Sequence, residues 1–297
     1  MDAIDSRKFL ELAKPVMETD YYENAQWEGE ELSSMVEDLE ENLDENYDDE
    51  DAICAVEQLI TADETRPLPK ALRALVEYVY DIAVKQGDAQ RINNYGALYY
   101  DGRIGEQDFH KAAFYYEKAA ELGDSNAVVN LGYIYYYGRT GDVEYEKAYL
   151  WFSKGAVAYG SSIASYKLGD MFKNGYYVKK DLKAAFNCYL RAEELEKSYD
   201  EDEPDYEPSD GGPMPDVMFR LAECYHKGIG TETDLDKALA YYQKAEQGFI
   251  DKVRKGNYLV KKMLKLSIDR QEEIRNEIAK DLPQMEWAKK NAGYKTI

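Results

Sequence analysis

Four stretches decide the reading: Tyr95-Gly96-Ala97-Leu98-Tyr99-Tyr100-Asp101-Gly102, Leu131-Gly132-Tyr133-Ile134-Tyr135-Tyr136-Tyr137-Gly138, Leu168-Gly169-Asp170-Met171-Phe172-Lys173-Asn174-Gly175 and Leu221-Ala222-Glu223-Cys224-Tyr225-His226-Lys227-Gly228. They superimpose without gaps. The same phase then runs outward through Asp108, Glu144, Asp181 and Asp234, and through Ala112, Ala148, Ala185 and Ala238. It continues through Tyr116, Phe152, Tyr189 and Tyr242 to Ala119, Gly155, Ala192 and Ala245. A fixed internal period of this length is the mark of a repeat array.

Each landmark has a physical task. Gly96, Gly132, Gly169 and Ala222 sit inside an apolar helical stripe, where a minimal side chain lets a second helix come close. Gly102, Gly138, Gly175 and Gly228 suit the left-handed residue that closes a helix. Asp108, Asp181, Asp234 and Glu144 stand where a second helix starts, and three of them are aspartates, which cap helices well. Ala112, Tyr116 and Ala119 lie at i, i+4 and i+7, one packed face. Gly87, Gly123, Gly160 and Gly248 are expected to end second helices, with Asp88 and Asp124 starting the next first helices.

The unit Tyr95-Gly96-x-Leu98-Tyr99-x-x-Gly102, followed by Asp108-x-x-Lys111-Ala112-x-x-Tyr115-Tyr116-x-Lys118-Ala119-Ala120-x-x-Gly123-Asp124, resembles the Sel-like repeat, a relative of the tetratricopeptide repeat. The likeness covers about 89–197 and 214–249. It implies an all-α, right-handed α-solenoid that binds other proteins on its concave face. Three positions depart from the pattern: Ala184 for a lysine, Glu196 for the glycine ending the third repeat, and Ala222 for the glycine of the fourth.

Around the repeats the chain divides into an acidic helical segment (1–66), a degenerate leading repeat (67–88), three repeats (89–197), an acidic flexible insertion (198–213), a fourth repeat (214–249) and a C-terminal helical cap (250–297). Helices are expected from Ser6 toward Thr19, interrupted near Pro15, from about Glu28 to Asn46, and from Asp51 to Ile60. In the cap, Tyr258, Leu259, Met263, Leu264 and Ile268 suggest one helix, and Ile274, Ile278 and Leu282 a second that stops before Pro283. The run Asp44 to Asp51 places Asp49 and Ala55 where a calcium loop needs Gly and Glu, so it reads as a solvated acidic loop.

The formal net charge is -22, from 59 acidic and 37 basic residues. Residues 1–66 hold 22 Asp or Glu against 4 Lys or Arg, whereas residues 251–297 hold 12 basic against 7 acidic. Such a balance argues against nucleic acid and anionic membranes, and it favours either plain solubility or a basic protein partner. Cys54, Cys188 and Cys224 form no metal or disulfide spacing. No apolar run approaches membrane length, and the N-terminus carries no leader pattern, so a reducing cytoplasmic setting is expected. His110 and His226 fall at non-equivalent repeat positions, and no nucleophile, metal or phosphate-loop motif occurs; no catalysis, cofactor or small-molecule substrate is expected.

The expected site is the groove, lined by first-helix residues off the apolar stripe: Asn94, Tyr100, Asp101, Asn130, Tyr133, Tyr136, Tyr137, Lys167, Asp170, Lys173, Arg220 and Glu223. Tyrosine is enriched at binding hot spots. The functional expectation is a non-catalytic scaffold, the alternative an immunity-type inhibitor that masks a basic toxin or enzyme with its acidic surface.

Overall fold

The computed structural model describes residues 3–18, 30–41, 49–62, 66–202 and 214–281. Among these residues the secondary structure is helical throughout, and the chain forms two compact units, Met1–Trp151 and Phe152–Ile297. The helices are α1 (Ser6–Met17), α2 (Glu30–Glu41), α3 (Asp49–Ala62), α4 (Lys70–Gln86), α5 (Ala89–Tyr100), α6 (Phe109–Glu121), α7 (Ser125–Tyr136), α8 (Tyr145–Ala158), α9 (Ser162–Asn174), α10 (Leu182–Asp202), α11 (Met214–Lys227), α12 (Leu235–Arg254) and α13 (Lys261–Asp281). Neighbours in sequence pack on each other: α5 with α6 and α6 with α7 in the first unit, and α9 with α10, α10 with α11, α11 with α12 and α12 with α13 in the second. The architecture is all-α, built of tandem helical hairpins of the solenoid class.

The hairpin loop is the same object four times. Gly102, Gly138, Gly175 and Gly228 all have positive φ, between 60° and 76°. The amide after each glycine reaches back five residues, as in Arg103 to Leu98 O (2.8 Å) and Arg139 to Ile134 O (2.9 Å). This is the left-handed helix closure that glycine permits without a Cβ penalty. A second backbone bond spans nine residues: Asp108 N to Tyr99 O (3.1 Å), Glu144 N to Tyr135 O (3.0 Å), Asp181 N to Phe172 O (3.0 Å) and Asp234 N to Tyr225 O (2.8 Å). The Asp108, Asp181 and Asp234 carboxylates then accept from the amides three residues on, at 2.9, 2.9 and 3.0 Å. Asp88 and Asp124 cap α5 and α7 in the same way.

Inside the hairpins, Ala112, Ala148, Ala185 and Ala238 are fully buried, as are Phe152, Tyr189 and Tyr242. The small first-helix residue is opposed by the second-helix aromatic. A Cβ on Gly96 would stand 2.8 Å from the Tyr116 ring, and one on Gly169 would stand 2.5 Å from that of Tyr189. At the fourth repeat Ala222 takes the same place in the core with Tyr242.

Several expectations are corrected. Gly248 does not end a helix: α12 runs on to Arg254, and the glycine lets Pro215 approach, since a Cβ there would lie 2.9 Å from Pro215 Cβ. Glu196 likewise continues α10 to Asp202, where the Ser162 hydroxyl donates to its carboxylate. Pro15 lies within an unbroken α1. The cap is one helix over 261–281 rather than two, and Tyr258, Leu259 and Ile268 are exposed rather than packed; Ile274 fills the core instead. Residues 42–48, 203–213 and 282–297, which include most of the acidic loop, most of the insertion and Leu282, lie outside the described residues.

In the first unit, α3 presents Ile53, Val56 and Ile60 to a core shared with Tyr80 and Ala83 of α4. Arg91 ties α3 to α5 through Glu50 (2.6 Å) while also pairing with Asp88 (2.7 Å).

Candidate functional site

First helices α5, α7, α9 and α11 carry the residues expected to line the groove, and the two units treat them differently. In the first unit, Asn130 Nδ2 donates to Asn93 Oδ1 (3.0 Å), linking α7 to α5, and Asn94 Nδ2 reaches Glu57 Oε1 at 3.5 Å. Tyr133, Tyr136 and Tyr137 come together at the end of α7. The Tyr133 and Tyr137 rings are parallel within 2° at 5.9 Å, and Tyr136 meets Tyr137 edge-on at 5.0 Å. Tyr145 stands edge-on to Tyr136 at 5.6 Å. Tyr137 remains 49% exposed. Tyr100 packs edge-on against Phe109 at 5.1 Å, and Asp101 is half-buried beside it at the end of α5.

In the second unit the expected residues satisfy one another. Arg220 grips Asp170 through Nε and Nη2, both at 2.7 Å, and donates to the Asp216 carbonyl at 3.0 Å. Tyr189 Oη donates to the same carboxylate at 2.9 Å. Burial works to raise the Asp170 carboxyl, but the Arg220 charge and hydrogen bonds, with Lys167 and the Tyr189 hydroxyl, hold it below the ordinary carboxylate range. Tyr189 in turn is pushed well up, by burial first and by the Asp170 charge second. Lys173 binds Glu223 at 2.9 Å, and Lys227 binds it at 3.0 Å. Burial raises the Glu223 carboxyl, and the two lysines outweigh it, so its pKa falls. Asp170 and Lys167 are buried rather than groove-facing.

Two residues that the sequence reading passed over complete the picture. Tyr166 lies under the Arg220 guanidinium, 4.7 Å from ring centre to Cζ. Arg139 stands beside Tyr100, Phe109 and Tyr137. Neither is a landmark residue type shared by all four repeats, so periodicity gave no signal for them.

His226 is partly buried, with Nε2 3.4 Å from Glu277 and its ring edge-on to Tyr242; His110 is exposed. Among the described residues, no group of three or more His, Cys, Asp or Glu could hold a metal ion, and no helix is long and apolar enough to cross a membrane.

The Sel1 repeat profile matches residues 92–124, 125–156, 162–196 and 215–247, the same four hairpins. The chain carries four Sel1 repeats. Sel1 repeats are generally protein–protein interaction modules, and no enzymatic family is indicated. Solved structures of similar fold include two Sel1-type proteins. One is a Sel1 repeat protein from Oxalobacter formigenes, with TM-score 0.56 and 22% identity over 89% of this chain and 87% of that one. The other is a protective antigen present in uropathogenic Escherichia coli strains and displaying an SLR fold, with TM-score 0.55 and 23% identity. That match covers 95% of this Sel1 repeat chain and 57% of the antigen. At such identities the likeness is one of fold. Curated proteins give no match.

Proposed function

We propose that this Sel1 repeat protein is a non-catalytic scaffold that binds a partner protein on the face lined by its first helices. Contact would centre on Tyr133, Tyr136 and Tyr137, with Asn94, Tyr100, Asp101 and Asn130 around them. The observation that carries the reading is the half-exposed Tyr137, held against its neighbours by ring contacts rather than folded into the core. A pre-ordered tyrosine loses little side-chain freedom on binding and contributes a large contact area. Lys167, Asp170, Lys173, Arg220 and Glu223 have a different part in this scheme. Their mutual pairing fixes the spacing of α9 and α11 and so supports the fold, leaving the first unit to make contact.

The test is a photo-crosslinking amino acid placed at Tyr137, with Phe114 on a second helix as the control. A partner captured from the native cell only at Tyr137 is then purified. Its affinity should fall by about tenfold or more for Tyr133→Ala and Tyr136→Ala, with melting unchanged. Equal capture at both positions, or normal binding by both variants, would remove the assignment.

A further inference from the structure

Arg139 follows the closing glycine of the second repeat, and its backbone is fixed by the 2.9 Å bond from its amide to Ile134 O. Its guanidinium carbon lies 5.9 Å from the ring centre of Tyr100, 5.6 Å from that of Phe109 and 5.7 Å from that of Tyr137. Three rings around one exposed cation lie within the range of cation–π attraction. Among the described residues the Arg139 side chain meets no carboxylate and no hydrogen-bond acceptor. Arg91, Arg191, Arg220, Arg254 and Arg270 each contact one. What sets Arg139 apart is the set of three rings around its exposed guanidinium.

Aromatic neighbours engage the guanidinium through its charge and flat faces, which leaves the planar N–H fork at its edge available. Such a fork matches a carboxylate bidentately, and being held in place it loses little freedom when it does so. We propose that Arg139 is the anchor for a carboxylate on the partner, an Asp or Glu side chain in a peptide segment lying across the tyrosine face. This rests on the interaction face proposed above and adds the chemistry of its ligand. It also separates the local requirement from the overall charge: the protein as a whole repels acids, and this one position accepts one.

The test uses random peptides displayed on phage, selected on the full chain and remade with amidated C-termini, so that every carboxylate is a side chain. Selected peptides should share an Asp or Glu. Changing that residue to Asn or Gln should weaken binding to the wild type by about tenfold or more. The same change should alter binding to Arg139→Gln by less than about twofold, the signature of a direct pair in a double-mutant cycle. Arg139→Lys should also fail to restore tight binding, since an ammonium has no fork. Circular dichroism and thermal melting of the Arg139 variants should match the wild type, because the side chain is exposed. Peptides without a shared acid, or an acid whose removal costs the same on Arg139→Gln, would overturn the anchor. If Tyr133→Ala weakens the selected peptides while Arg139→Gln does not, the face stands and the anchor falls. If neither variant matters, the face itself is wrong.

Discussion

Replacing Arg220 with methionine probes how the first helices of the second unit are held. The change keeps an unbranched apolar stem while removing both 2.7 Å bonds to Asp170 and the 3.0 Å bond to the Asp216 carbonyl. Asp170, whose side chain is only 13% exposed, keeps the Tyr189 hydroxyl. Leaving one member of a buried pair uncompensated costs about 3–5 kcal/mol. Replacing both members, as Asp170→Leu with Arg220→Met, should cost far less. What remains is chiefly the acceptor lost to Tyr189, a penalty of about 1–3 kcal/mol. The two changes should therefore be coupled by about 2 kcal/mol or more in a cycle read by urea unfolding. Hydrogen exchange across residues 162–174 and 214–227 locates the effect.

The pH dependence has a definite sign. The Asp170 carboxyl is lowered in the folded state, so its contribution is complete above the unfolded value of about 3.9 and fades as pH falls through the folded one. In Arg220→Met the same carboxyl loses its cation and titrates higher, so protonation relieves the variant first. The stability gap between wild type and variant should be widest near neutrality and narrow as pH falls toward about 4. A loss below about 1 kcal/mol with a gap that does not change with pH would refute this account of the buried pair.

Two further outcomes follow from the core. Gly169→Ala puts a methyl 2.5 Å from Tyr189 Cε1, on a ring that is fully buried. Overpacking of about 1–3 kcal/mol should exceed the roughly 1 kcal/mol gained in helix propensity, and the melting temperature should drop; an equal or higher one would contradict the close approach. Burial pushes the Cys188 thiol up to about 11 and the Cys224 thiol up to about 12, and it raises that of Cys54, where Glu50 adds to the effect. Native protein at about pH 8 should therefore show no fast-reacting thiol with a disulfide reagent, and three after unfolding; rapid modification of Cys224 in the folded state would show the burial to be wrong.

Much of the fold was legible because the sequence repeats its constraints. A small residue, an alanine and an aromatic at fixed offsets leave one helical phase that can bury them, and Asp108, Asp181 and Asp234 mark helix starts by local chemistry alone. Gly248 misled for the opposite reason. A glycine that ends a helix and one that admits a proline from a neighbouring helix look alike in one dimension, and only Pro215 distinguishes them. The site was less legible. Asn94 and Asn130 sit where periodicity places them, but Asp170 and Arg220 are fifty residues apart, and their pairing depends on how α9 and α11 are spaced. Arg139 gave no sign at all, because the rings around it come from the end of one helix, the start of the next and the end of a third.

The nine-residue backbone bond that closes each hairpin uses no side chain. Arg103, Arg139, Tyr176 and Ile229 occupy the same address in the four sockets, and the two arginines act differently there. Arg103 reaches back to the Ile60 carbonyl, whereas Arg139 points to solvent among rings. Because the socket is made of peptide groups and one glycine, it closes in the same way around Arg, Tyr or Ile. New specificity could therefore be written into this protein one letter at a time.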